Sequence, residues 1–382
     1  MKSIIFVVPK LGIGGVERSL LSLLQQMPPE KFSVTVLTFV AGGELEALLP
    51  KEITVRHAPD ARRQESCRAM LSGMLRKVGG GALFHFAKRV YHKFGKLMFR
   101  RTVQAEHFDI AIAYSDGLAT WYTSQRINAD IKLAFVHTDM LSAGYDAAQE
   151  RSVYAAYDRI FFSSQAVRNA FLKLLPDQNH KTAILPNGID TTEILRLSRE
   201  MNPYPKREEI RLLTVGRLSH EKGVDKIPLL LHMLLDAGEK VHWYIVGNGP
   251  ELENLRRSAA KLGVENALTL TGSQKNPYTY MRGCDVYVQP SNYEGYCIAL
   301  AEARVLCVPI VTCSFSGASE QLTNGKNGFI TGSDIDDLFP AILELVRSRE
   351  KREAFSLALH KELSALQTDN TIQKWWNWLE TI

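Results

Sequence analysis

Two cations and two carboxylates in the second half of the chain have the types and spacing to handle a charged leaving group. Arg217 and Lys222 lie in V-G-R-L-S-H-E-K-G, where Gly216 ends an apolar run. Arginine offers a planar fork of donors and lysine a point charge, so two such cations at a strand's carboxyl end can neutralise a diphosphate. Taken alone, the segment reads more readily as a solvated loop. Glu294 and Glu302 lie in Q-P-S-N-Y-E-G-Y-C-I-A-L-A-E-A. Gly295 permits a sharp turn, after which Tyr296, Cys297 and Ile298 would present backbone amides at the start of an apolar helix. Glu302 falls inside that helix among Ile, Ala and Leu, where a carboxylate needs a partner; sugar or ribose hydroxyls would serve.

A further anion-binding candidate is L-G-I-G-G-V-E-R near the N terminus, which follows the first apolar run and leads into a helical run from Val16. Backbone amides at such a helix start can approach an anion closely, although a purely structural turn is an equal reading. Glu17 stands where the dinucleotide fingerprint needs its third glycine, so this is not that fingerprint. Asp139 follows His137 closely enough to suggest an acid/base pair, but no spacing rule establishes one. Asp334, Ile335 and Asp336 spell D-x-D, a metal-binding pattern, just before a late helix whose capping and dipole are expected to account for the acids instead. The cysteines Cys67, Cys284, Cys297, Cys307 and Cys313 form no C-x-x-C pair, which points to neither a disulfide framework nor zinc and fits a reducing cytoplasm.

These residues need a frame, and the sequence supplies one. At 382 residues the chain is long enough for two domains at about 150 residues each. Short Val- and Ile-rich runs recur with room for a helix between them, the mark of parallel βαβ units. The first series is Ser3 to Pro9, Val34 to Phe39, Ile53 to His57, Asp109 to Tyr114, Lys132 to His137, Arg159 to Ser164 and Thr182 to Leu185. A polar connection through P-N-G-I-D and M-N-P-Y-P-K-R follows. The second series is Ile210 to Val215, Val241 to Val246, Ala267 to Thr271, Cys284 to Gln289, Pro309 to Cys313 and Gly328 to Thr331. The expected organisation is a first α/β domain over 1–187, a second over 188–367, and a C-terminal amphipathic helix over 368–382 whose tryptophans act as packing anchors.

The opening apolar run is too short and too soon broken by Pro9 and Lys10 for a leader, and no stretch approaches the roughly 20 apolar residues of a membrane span. Between Ala61 and Arg101, basic residues face a single acid, Glu65, with apolar and aromatic residues threaded among them. That composition suits a helix pair lying on an anionic membrane surface. Nucleic-acid binding lacks any accompanying motif, and a solvated helix face is the bland alternative.

The segment E-G-Y-C-I-A-L-A-E resembles the E-x7-E motif of retaining glycosyltransferases, and the loops around it resemble glycosyltransferase family 4. The likeness runs nearly end to end, through the glycine loop, H-T-D-M, L-P-N-G-I-D, G-R-L-S-H-E-K-G, V-G-N-G-P and T-G-S. It implies a GT-B fold, two Rossmann-like domains facing across a cleft with the last helix packing back toward the first domain. It also implies that Arg217 and Lys222 hold the donor diphosphate, that Glu302 binds the ribose and that Glu294 positions the donor sugar. Gly15 and the amides of Gly295, Tyr296, Cys297 and Ile298 would line the phosphate path, Ser273 or Gln274 would sit near the base, and His137 would lie beside the sugar, a core histidine at a strand end being the alternative reading. The implied activity is metal-independent transfer, with retention and without a cofactor, from a UDP or GDP sugar to a glycan or lipid-linked acceptor of bacterial surface polysaccharide. A GT-B nucleotide-sugar epimerase and a catalytically silent binding subunit are the alternatives.

Overall fold

A computed structural model describes residues 1–58, 106–205, 208–367 and 371–382. The basic 61–101 segment therefore lies outside the described residues. The chain forms two compact units, one of Met1–Gly188 with Asn370–Ile382 and the other of Ile189–Asp369.

The first unit is built on a parallel sheet of seven strands, β1 (Lys2–Val8), β2 (Phe32–Thr38), β3 (Thr54–His57), β4 (His107–Ala113), β5 (Asn128–Val136), β6 (Arg159–Phe162) and β7 (Thr182–Ile184). Their spatial order is β3-β2-β1-β4-β5-β6-β7. In the second unit β8 (Ile210–Val215), β9 (Val241–Val246), β10 (Leu268–Gly272), β11 (Val286–Gln289), β12 (Ile310–Cys313) and β13 (Phe329–Thr331) run in the order β10-β9-β8-β11-β12-β13. Both sheets are parallel throughout, as strands buried on both faces and joined by crossover helices must be. All the strands anticipated from the sequence are present. The largest boundary difference is at β5, which begins at Asn128, because Asn128–Ile131 extends past the buried part of the sheet and carries no continuous apolar run.

The fold of each sheet reverses direction once, between β1 and β4 in the first unit and between β8 and β11 in the second. At such a reversal the loops leaving two neighbouring strands diverge and leave a crevice at their carboxyl ends. Close backbone approach holds these loops together in the second unit. A Cβ on Gly247, Gly249 or Gly223 would strike the carbonyls of Gly216, Leu218 or Pro290. Gly223 and Gly247 also have positive φ, which a side chain resists.

The helix Thr371–Thr381 belongs to the first unit, and its sequence shows why. Ile372, Trp375, Trp376 and Leu379 recur at the helical period and are all buried. Trp376 packs on Phe32 with ring centroids 5.1 Å apart and its indole N–H donates to the Leu23 carbonyl at 3.0 Å. The tryptophans thus anchor the helix to the sheet, as their amphipathic spacing implies. Among the described residues no helix is long and apolar enough to cross a membrane.

Candidate active site

The crevice of the second unit brings together residues from its two diverging loops. Lys222 comes from the loop after β8 and Glu294 from the loop after β11, and the Lys222 Nζ stands 2.5 Å from Glu294 Oε1. Backbone contacts tie the same loops, with the Asn292 amide donating to the Glu221 carbonyl at 2.9 Å and Lys226 Nζ donating to the Pro290 carbonyl at 2.9 Å. The Lys222 and Glu294 side chains are only 22% and 10% exposed. Burial, the largest single influence, would push the Lys222 ammonium down, but the Glu294 charge and hydrogen bond, with Cys297 and Glu221, together outweigh it and the net shift is upward. Lys222 is therefore a held, fully charged cation. Arg217, two residues beyond β8, is exposed, and its side chain makes no hydrogen bond or ion pair among the described residues.

Glu302 sits in the second turn of the helix Ile298–Val305 and is 5% exposed. The sequence requires a partner for it, and the structure provides the Tyr278 hydroxyl, which donates to Glu302 Oε1 at 2.9 Å. Cys297 caps this helix with a left-handed backbone, φ 60°, unusual for a side chain other than glycine. No side-chain hydrogen bond caps the start of this helix. Burial first, and then the Glu294 charge, hold the Cys297 thiol well above its ordinary range, so the thiolate needed of a nucleophile is not formed. Gly295 is buried, and the Tyr296 carbonyl accepts from the Gln321 amide. Ser273 and Gln274 follow β10 on the same carboxyl edge, two strands from β8; Ser273 is exposed and Gln274 donates to the Thr271 carbonyl at 3.0 Å.

In the first unit Gly15 begins the helix Gly15–Gln25 after β1, with Gly14 as its cap and no side-chain hydrogen bond to that cap. The Glu17 carboxylate lies against Gly14, where any added Cβ would collide with it. His137 follows β5 and is buried beside the rings of Tyr114 and Phe135, at centroid distances of 5.2 and 6.1 Å. Neither imidazole nitrogen finds a hydrogen-bond partner of normal geometry among the described residues. Burial pushes its pKa down to about 4 against weaker support from the Tyr114 backbone and the Asn187 side chain, so the ring is neutral near pH 7. Asp116, which the sequence did not single out, accepts from the His137 and Thr138 amides at 3.3 and 3.1 Å. Its carboxyl is pushed up to about 6, chiefly by burial. Asp139 instead accepts from the Ser142 amide at 3.0 Å.

The D-I-D segment needs one correction. Asp334 occupies the cap position of the helix Ile335–Arg347, but its side chain makes no capping hydrogen bond. The favourable placement of Asp336 and Asp337 in the first turn, against the helix dipole, is what remains of that reading.

Three side chains under the crevice escaped the sequence reading altogether. Tyr287 and Gln289 of β11 and Ser291 just after it are fully buried and hydrogen-bonded in series toward Glu294. Their signal was available, since polar residues at every second position of a strand buried on both faces are out of place.

A family model described as Glycosyltransferase Family 4 matches residues 13–193, and one described as Glycosyl transferases group 1 matches residues 199–360. The chain is 28% identical over 188 residues to a GDP-mannose-dependent alpha-(1-6)-phosphatidylinositol monomannoside mannosyltransferase of Mycobacterium tuberculosis, covering 46% of this chain and 49% of that protein. It is 26% identical over 175 residues to the amylovoran biosynthesis glycosyltransferase AmsD of Erwinia amylovora, covering 44% of this chain and 48% of that one. These alignments span about half the length of the curated relatives. The Anabaena protein HepE, solved with UDP and glucose, superimposes with a TM-score of 0.71 at 18% identity over the whole of both chains. Two parallel α/β units of this topology are those of the GT-B fold. With one family model on each unit, the chain belongs to the GT-B glycosyltransferases of family 4.

Proposed function

We propose that this protein transfers a sugar, with retention of anomeric configuration and without a metal ion, from a nucleoside-diphosphate donor to a glycan or lipid-linked acceptor of bacterial surface polysaccharide. The observation that carries the reading is the Lys222–Glu294 pair at the point where the second sheet reverses. Lys222, with Arg217 beside it, offsets charge gathering on the diphosphate as the bond from the sugar's anomeric carbon to the phosphate oxygen breaks. Glu294 binds sugar hydroxyls, Glu302 the ribose, and the amides at Gly295, Tyr296, Cys297 and Ile298 the phosphates. Ser273 or Gln274 contacts the base, while Gly15 and neutral His137 serve from the first unit. The acceptor oxygen bonds to the anomeric carbon on the face the diphosphate leaves, and its proton passes to the departing phosphate. Positioning and electrostatics suffice for this chemistry.

The test is a donor screen. Purified protein is offered UDP-glucose, UDP-N-acetylglucosamine and GDP-mannose, with and without a lipid-linked acceptor, and released nucleoside diphosphate is measured. Release from at least one donor, undiminished by EDTA, is expected. Activity abolished by the chelator and restored by a divalent cation would refute metal independence, and no release from any donor would refute transfer.

The 61–101 segment supports a second part of the proposal, docking on an anionic cytoplasmic membrane face. Each basic side chain near such a surface contributes about 1 kcal/mol, so attachment should be measurable and salt-sensitive. Sedimentation with anionic liposomes should deplete the native protein from the supernatant but not a variant with Lys88, Arg89, Lys93 and Lys96 changed to glutamate. Equal recovery of both at low salt removes the membrane from the proposal.

A further inference from the structure

Glu294 does not stand on its ion pair alone. Ser291 Oγ lies 2.9 Å from Glu294 Oε1, Gln289 Nε2 lies 2.8 Å from Ser291 Oγ, and Tyr287 Oη lies 2.6 Å from Gln289 Oε1. Tyr287, Gln289 and Ser291 are each 0% exposed, so water does not compete for these bonds. The polarity of the series follows from its last member. An ionised carboxylate only accepts, so the single Ser291 proton must point to Glu294. Ser291 must then accept from the Gln289 amide N–H, which turns the Gln289 carbonyl toward Tyr287, and the Tyr287 hydroxyl must donate to it. A second acceptor for that hydroxyl, the Val215 carbonyl, is farther away at 3.4 Å. Burial holds the Tyr287 hydroxyl well above its usual range, so it remains a donor.

The backbone keeps this series in place. Tyr287 and Gln289 belong to β11, which pairs with β8 on one side and β12 on the other, and Thr312 Oγ1 donates to the Gln289 carbonyl at 3.2 Å. Ser291 follows Pro290, whose carbonyl is held by Lys226. Both the Ser291 bond and the Lys222 ion pair fall on the same oxygen, Oε1. They fix the rotation of the carboxylate, and with it the direction of Oε2.

We infer that Tyr287, Gln289 and Ser291 are positioning residues that orient the Glu294 carboxylate for the donor sugar, an inference that rests on Glu294 being the sugar contact. Their effect should fall on the sugar and spare the nucleotide. A general packing role would affect both.

The experiment compares wild type with Ser291→Ala and Tyr287→Phe, each a removal of one hydroxyl. Turnover is measured with whichever of UDP-glucose and GDP-mannose the wild type accepts, UDP and GDP binding by calorimetry, and unfolding by a thermal melt. Ser291→Ala should lower kcat/KM about tenfold or more, the usual effect of losing a hydrogen bond to a charged group. Tyr287→Phe, three hydrogen bonds from the Glu294 carboxylate, should give a smaller loss in the same direction, and it carries the test should Ser291→Ala fail to fold. Affinity for UDP or GDP should stay within about twofold in both. Turnover within about twofold of wild type in both variants would overturn the inference, as would an equal loss of nucleoside-diphosphate affinity. A wild type that releases nucleoside diphosphate from neither sugar would instead strike the transfer reading on which the inference rests.

Discussion

Lys222→Met should lower the turnover of the best nucleotide sugar about a hundredfold or more while retaining much of the affinity for that sugar. The reason is that negative charge on the diphosphate grows as the sugar departs, so a fixed cation helps the transition state more than the bound donor. Removing one such preorganised contact generally costs about 3 to 4 kcal/mol. Methionine keeps the length and apolar stem of the side chain, which matters because Lys222 is mostly buried. The variant also removes the charge partner of Glu294, which keeps its hydrogen bond from Ser291. Breaking one partner out of a buried pair is destabilising by up to about 3 kcal/mol, so a lower melting temperature is expected as well. Arg217→Ala separates the two effects. Its side chain is exposed and makes no ion pair among the described residues, so it should lose turnover and leave the melt unchanged. Turnover within about threefold of wild type in Lys222→Met, checked below the melting temperature, would exclude the lysine from leaving-group stabilisation.

The parts of this architecture that the sequence reveals are those set by local rules. Strands such as V-H-W-Y-I-V and I-R-L-L-T-V declare themselves because a strand covered on both faces reads as a mostly apolar run, and both appear with the expected boundaries. The loop carrying Lys222 declares itself through a glycine needed for close backbone approach, as the contact of Gly223 with the Pro290 carbonyl shows. Pairing across the fold is another matter. Lys222 and Glu294 are 72 residues apart, and only the reversal of strand order between β8 and β11 makes their loops neighbours. Tyr278 reaches Glu302 across 24 residues and Asp116 reaches the His137 amide across 21, with nothing in either local sequence to announce a partner. The Tyr287, Gln289 and Ser291 series is intermediate. Its alternation was visible, but its meaning depends on β11 lying at the centre of the sheet, where every side chain is enclosed.

Glu294→Gln should shift the pH dependence of catalysis as well as its rate. In the native protein, burial disfavours the Lys222 ammonium, and the Glu294 carboxylate, with smaller contributions from Cys297 and Glu221, more than compensates, leaving its pKa above the ordinary 10.5. Glutamine keeps the shape but removes the compensating charge, so the burial effect is left largely unopposed and the Lys222 pKa falls. The sign is fixed by that balance. Native Lys222 keeps its proton, and the ion pair its contribution to stability, until pH rises through the raised value; in the variant the proton is lost at lower pH. Two consequences follow for kcat/KM. At neutral pH, loss of the proposed sugar contact should lower it about a hundredfold. On the alkaline side its decline should begin earlier than in wild type. Unlike the effect of Ser291→Ala, which leaves the Glu294 charge in place, this displacement reports directly on the coupling between Glu294 and Lys222. A double variant carrying Lys222→Met and Glu294→Gln should lose less than the product of the single losses, because each single change leaves the other group without its partner. The measurement is kcat/KM from about pH 6 to pH 10 for the four proteins. An unchanged alkaline limb in Glu294→Gln together with multiplicative losses would mean that Lys222 and Glu294 act independently, and the pair at the reversal of the second sheet would no longer support donor-site chemistry.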